Sequence, residues 1–249
     1  MKALPLSVRF RLTLQREVGR VLGIIWIIPI AWFMRFVMRY SIKDLKEVRR
    51  RYRELVTENQ SPILICPNHL TMADSAVIAW ALGGSWWYLF RYSRLPWNIP
   101  EYNNFSFLWF VGIGAWITKC IPVVRGGDRK EISKVINKID YLLRKGETAL
   151  IFAEAGRSRT GRVRVDSHAQ AVGRVMTAVP ECQALCVYMR GDKQDTWSTV
   201  PKRGDSIYLD FHMFRPESEF SGMRRSRDIA RQIVSHIADM ESEYFANRK

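Results

Sequence analysis

These 249 residues predict an α/β fold: a mostly parallel central sheet flanked by helices, with an N-terminal membrane-associated helical anchor. Three observations carry that reading. Apolar runs at 62–66 and 148–153 have strand length and stop abruptly at polar loops, as buried strands do. Amphipathic helix patterns lie between the runs, and recurring β–α–β order favours parallel strands with helices on both faces. Residues 21–34 are fourteen apolar residues bracketed by Arg20 and Arg35.

A chain of this length holds one domain with a sizeable core. Its net charge of +15 suits anionic lipid or nucleic acid. Nine Trp and nine Tyr favour surfaces where an apolar body meets water, as at a bilayer interface. No nucleic-acid-binding motif accompanies the charge, so membrane lipid is the expected partner and nucleic acid is not. Cys66, Cys120, Cys182 and Cys186 form no Cys-x-x-Cys pair and read as reduced residues, which implies no metal site and a cytosolic milieu.

Residues 1–57 carry thirteen Lys/Arg and four Asp/Glu and supply +9 of the net charge. Their apolar run is shorter than the roughly 20 residues that span a bilayer, and Pro29 predicts a kink in its middle. The reading is a monotopic anchor with arginines at the headgroups; a core helix and a true span are the alternatives. No small-x-small site follows the run, so it does not read as a cleavable signal peptide. Residues 58–249 form the globular domain.

Within it a helix over 41–57 leads to the 62–66 strand, and a helix over 72–82 ends at Gly83-Gly84. The aromatic run 86–90 reads as a strand and 91–105 as a loop. Residues 107–118 fit a core helix or a second membrane-facing patch equally. A short strand at 120–124 brings Arg125. Asp128 and Glu131 form a capping-box start for a helix whose apolar face includes Ile132, Ile136 and Leu143 and which Gly146 closes. The 148–153 strand, a helix over 167–178, strands at 183–189 and 206–213, and a helix over 226–245 complete the order.

Two loops carry chemistry. After the first strand comes Asn68-His69-Leu70-Thr71-Met72-Ala73-Asp74, a His-x4-Asp spacing. With Asp74 in the first turn of a helix, the carboxylate can fold back onto the imidazole, fix its tautomer and steady its cation while His69 takes a proton. The same spacing also describes a capping loop. After the 148–153 strand comes Glu154-Ala155-Gly156-Arg157-Ser158-Arg159-Thr160-Gly161-Arg162. Four arginines, at 157, 159, 162 and 164, fall within eight residues. They suit a phosphate, which guanidinium holds by paired hydrogen bonds; a solvated basic loop is the plainer reading. His168, His212 and His236 have no carboxylate at a helpful spacing and read as structural or surface residues.

Together, Asn-His-x4-Asp and Phe152-x-Glu-x-x-Arg-Ser resemble the glycerolipid acyltransferase family of lysophosphatidate and glycerol-3-phosphate acyltransferases. Ile121-Pro122-Val123-Val124-Arg125 looks like its second block, and 184–191 stands where its fourth block belongs but lacks the proline. The third block reads Phe-Ala-Glu-Ala-Gly-Arg-Ser where many members have Phe-Pro-Glu-Gly-Thr-Arg-Ser, a difference that bears on the acceptor rather than the reaction class. The resemblance implies transfer of a fatty acyl group from acyl-CoA or acyl carrier protein to a lysophospholipid such as 1-acylglycerol 3-phosphate, with no cofactor or metal. It implies His69 as base, Asp74 as its orienter, and Arg125, Glu154, Gly156, Arg157 and Arg159 at the acceptor, on the cytoplasmic face of the inner membrane. Glycerol 3-phosphate and a lyso-ornithine-type lipid are alternative acceptors. A non-catalytic basic membrane-binding protein is the rival from another class.

Overall fold

The computed structural model describes residues 4–102, 109–124 and 128–247. A six-stranded sheet has the order β1-β6-β5-β2-β4-β3, comprising β1 (Ser41–Ile42), β2 (Ile63–Pro67), β3 (Trp97–Asn98), β4 (Ala149–Leu150), β5 (Gln183–Gly191) and β6 (Ser206–Phe214). All five residues of β2 are buried, as expected of a central strand covered on both faces. The period-2 alternation then sorts its side chains into two layers. Leu64 and Cys66 face the layer that includes Ile139, Val175 and Ile233. Ile63 and Ile65 face the layer that includes Tyr52, Val77 and Leu82. Helices α7 (Arg129–Arg144), α8 (Gln170–Ala178) and α9 (Gly222–Ala246) build the first layer, and α3 (Leu45–Glu58) with α4 (Asp74–Leu82) the second.

The sheet is mixed, which corrects the expectation of a mostly parallel one. β1–β6, β5–β2, β2–β4 and β4–β3 run parallel. The longest pairing, β5 with β6, is antiparallel from Ala184↔Phe214 to Gly191↔Ile207. A parallel return needs a crossover, usually a helix. The polar connection 192–205 contains none, so the chain turns back beside β5.

Three further expectations change. The aromatic run is not a strand but α5 (Ser85–Phe90). Gly84, at φ +76°, starts the new helix directly after α4, and Tyr88 turns inward while Trp86 and Phe90 stay exposed. The 91–105 loop contains β3, whose Trp97 amide donates to the Thr148 carbonyl at 2.8 Å. The expected 120–124 strand is reduced to the bridges Asn98↔Cys120 and Glu101↔Val123. A buried ion pair holds this corner: Lys119 Nζ reaches Glu147 Oε2 at 2.6 Å and the Leu95 carbonyl at 2.6 Å, and Trp97 Nε1 donates to the same carboxylate oxygen at 2.8 Å.

The N-terminal helices α1 (Leu6–Val21) and α2 (Gly23–Trp32) are bent by 62° at Leu22, not at Pro29, through which α2 continues. Among the described residues no single helix is long and apolar enough to cross a bilayer; the bent pair together meets that length and composition. Leu12 joins the core, and Gln15 Nε2 donates to the carbonyls of Trp116 (2.8 Å) and Cys120 (3.0 Å), so α1 is seated on α6 (Trp109–Ile117). Phe10, Ile24, Ile25 and Phe36 remain exposed.

Candidate active site

The β2–β4 ladder brings the two chemical loops together. Beyond the paired residues, Ile151 N donates to the Ile65 carbonyl (3.0 Å) and Ala153 N to that of Pro67 (2.9 Å). Each chain leaves the sheet at the next residue, so the His69 and Glu154 loops emerge side by side at the carboxyl ends of adjacent parallel strands, where open α/β sheets place ligands. Asn68 closes the strand. Its Nδ2 donates to the Met189 carbonyl (3.0 Å) and its Oδ1 accepts from the Met189 amide (2.8 Å), so it shapes the loop against β5.

His69 and Asp74 meet as the spacing anticipates. His69 Nδ1 lies 3.0 Å from Asp74 Oδ2. The same oxygen accepts from the amides of Leu70 and Thr71, both at 2.7 Å, and Oδ1 accepts from Thr71 Oγ1 at 2.5 Å. Asp74 is wholly buried and is the first residue of α4. One carboxylate therefore both closes the loop that leads into α4 and engages the imidazole, and its charge lies in the helix's first turn. With Nδ1–H donated to Asp74, Nε2 carries the free lone pair. The imidazole stacks on Phe152, ring centroids 3.7 Å apart.

Glu154 is part of the scaffold of this loop. Oε1 accepts from the His69 amide (3.0 Å) and Oε2 from the Arg164 amide (3.2 Å). Burial pushes its carboxyl up to about 7, against the pull of those amides. A second buried glutamate, Glu241 of α9, accepts from the Val163 amide at 3.1 Å. Ser158 N donates to the His69 carbonyl at 2.9 Å, so the arginine loop is tied directly to the histidine. Arg157, half-buried, places its guanidinium over the Trp197 ring, 5.3 Å from the centroid. Arg162 lies on Phe245 instead, at 3.6 Å, and Arg159 and Arg164 are exposed. Gly156 is half-buried between Glu154 and Arg157. Arg125, with Gly126 and Gly127, lies outside the described residues.

Every amide from His69 to Ala73 is engaged: His69 by Glu154, Leu70 and Thr71 by Asp74, Met72 by the Thr199 carbonyl (2.9 Å) and Ala73 by Thr71 Oγ1 (3.2 Å). The histidine loop therefore holds no spare backbone amide from 69 to 73 for an oxyanion.

An acyltransferase family model matches residues 46–188, a stretch that contains both loops and the strands that position them. The chain belongs to the glycerolipid acyltransferase family. No curated protein gives a match. Membership makes the protein an O-acyltransferase, and the matched stretch includes His69 and Asp74. This acyltransferase also has an apolar cavity of about 240 Å³ that begins at Ser75 and Ala76, directly after Asp74. Ala79 and Trp80 of α4, Tyr88 of α5, and Ile27, Ile30 and Met34 from the N-terminal segment are among its lining residues. Sequence reading missed the cavity because its walls come from helices far apart in the chain. It also missed Phe152 and Trp197 as neighbours of the chemical side chains.

Proposed function

We propose that this acyltransferase moves a fatty acyl group from a thioester, acyl-CoA or acyl carrier protein, onto a free hydroxyl of a lysophospholipid such as 1-acylglycerol 3-phosphate. The observation that carries the reading is the buried Asp74–His69 contact beside an arginine loop and an apolar cavity. His69 Nε2 takes the hydroxyl proton as the oxygen attacks the thioester carbon. Asp74 holds the tautomer and stabilises the imidazolium. The tetrahedral oxyanion collapses, the carbon–sulfur bond breaks, and the imidazolium returns its proton to the departing thiolate. Because the histidine-loop amides are engaged, the amides of Gly156 and Arg157 are our assignment for the oxyanion donors.

Arg157, with Arg125 and Arg159, holds the acceptor's phosphate by charge-assisted bonds. Glu154 acts through the backbone of both loops. The cavity takes the acyl chain of the donor. A thioester already carries an activated acyl group, so the step calls for a base and an anion site without a cofactor. The exposed apolar residues of 1–57 and the flanking arginines dock the protein on anionic lipid, and we assign it to the cytoplasmic face of the inner membrane.

Purified protein offered labelled acyl-CoA or acyl carrier protein, with lysophosphatidate, glycerol 3-phosphate and lyso-ornithine lipid in parallel, tests the reading. Acylated lysophosphatidate that disappears in a folded His69→Ala variant is the expected result. Exclusive acylation of another acceptor moves the assignment within the family. Undiminished turnover in His69→Ala removes the base.

A further inference from the structure

Beyond the two loops that the family match contains lies a third segment, 191–201, packed against both. The Met72 amide of the histidine loop donates to the Thr199 carbonyl at 2.9 Å, and Ser198 N reaches the Leu70 carbonyl at 3.4 Å. On the other side, buried Arg190 donates to the Gly161 carbonyl of the arginine loop and to the Gln194 carbonyl at 2.7 Å. Gly161 has φ +68°, and a Cβ there would run into the Asp195 carbonyl, so the two loops approach closely only because this residue is glycine. The segment is thus fastened at both ends of the site. Between those fastenings it presents Trp197, 46% exposed, beneath the Arg157 guanidinium.

A guanidinium held over an indole ring is attracted by the ring face and gives up none of its N–H donors to an acceptor, so they stay available to an anion. Among the described residues no carboxylate pairs with Arg157. The side chain is therefore oriented without being neutralised, which is the condition for receiving an anion.

We propose that Trp197 is a positioning residue that sets the Arg157 guanidinium to receive the phosphate monoester of the acceptor. The inference rests on the reading of Arg157 as the acceptor's anion site and adds the residue that orients it. Trp197 stands outside the matched stretch 46–188.

Two measurements on the full-length protein test it. In steady-state kinetics, Trp197→Ala raises the acceptor KM by about five-fold, the worth of one solvent-facing cation–π interaction. Turnover number and donor KM stay at wild-type values, and Trp197→Phe restores most of the acceptor KM because a ring face remains. In a readout independent of turnover, Arg157 is labelled with an arginine-selective dicarbonyl in the presence of inorganic phosphate or glycerol 3-phosphate, and the label is located by peptide mass spectrometry. Half-protection of Arg157 requires about five-fold more phosphate in Trp197→Ala than in wild type, since the same cation–π interaction orients the guanidinium for either anion. Wild-type protection retained in Trp197→Ala overturns the inference and leaves the anion site standing. An Arg157 that neither anion protects in the wild-type protein overturns the anion site and the inference together. A fall in turnover number with both KM values unchanged shows that Trp197 acts on the histidine loop through Thr199, and also overturns it.

Discussion

Replacing Asp74 by asparagine separates the charge of this carboxylate from its geometry. Oδ2 accepts from three groups, His69 Nδ1 and the amides of Leu70 and Thr71, and Oδ1 accepts from the Thr71 hydroxyl. An amide oxygen in the place of Oδ2 keeps the first three contacts. The amide nitrogen then faces Thr71 Oγ1, which can rotate to accept. What disappears is the negative charge 3.0 Å from the imidazole. Charge-assisted bonds exceed neutral ones by about 1 kcal/mol each, so the fold loses about 1–3 kcal/mol, within the usual 5–15 kcal/mol of a domain. The imidazolium that forms during proton transfer loses about 5 kcal/mol of attraction at this separation and an effective dielectric near 20, which lowers turnover roughly 10⁴-fold. Asp74→Ala is a poorer test. It leaves four buried donors without their acceptor, at about 1–3 kcal/mol each, and approaches the limit of folding. The assay is single-turnover acyl transfer from a labelled thioester, with thermal melting to certify the fold. A folded Asp74→Asn protein within ten-fold of wild-type turnover would refute the role of the charge.

The remaining predictions concern the walls of the site. Burial raises the Glu154 carboxyl from its usual 4.5 to about 7, so the folded protein holds that proton more tightly than the unfolded chain. The associated stability is full below the lower value and is lost as pH rises through the upper one, a change of about 3 kcal/mol. Denaturant titrations across that window should show the slope in wild type and not in Glu154→Gln; an equal slope in both assigns it to other groups. Ala79 lines the apolar cavity, so Ala79→Phe should shift preference toward shorter acyl donors with little change for the shortest, and an unaltered chain-length profile would place the acyl chain elsewhere. Ile25 and Phe36 are 68% and 61% exposed. Replacing both by aspartate should weaken co-sedimentation with anionic vesicles by about 1.5–3 kcal/mol per residue while leaving the melting temperature unchanged. Deleting 1–40 is a less clean test of docking, because Leu12, Met34 and Tyr40 belong to the core.

Local chemistry was readable in the sequence wherever it depends on neighbours in the chain. The 62–66 run became β2 and the His69–Asp74 contact formed, because five residues of separation at a helix start leave few ways to fold. Asp128 does cap its helix, because its side chain accepts from the Lys130 amide, while the Glu131 carboxylate accepts from Lys134. The arginine cluster, by contrast, was legible only as a cluster. Tertiary packing turned Arg157 toward Trp197 and Arg162 toward Phe245, and gave Glu154 to the amides of His69 and Arg164. Glu154 and His69 are 85 residues apart, Trp197 and Phe245 lie 40 and 83 residues from their arginines, and no periodicity encodes such pairs. The same holds for strand direction. The alternating apolar pattern of β6 states which side chains are buried, but a strand reads alike in both directions, and only the return through 192–205 without a crossover helix makes it antiparallel to β5. Propensity misled at 86–90 for a related reason. Aromatic residues fit a sheet in general, yet the Gly83-Gly84 turn delivers these to the end of α4, where a short helix buries Tyr88.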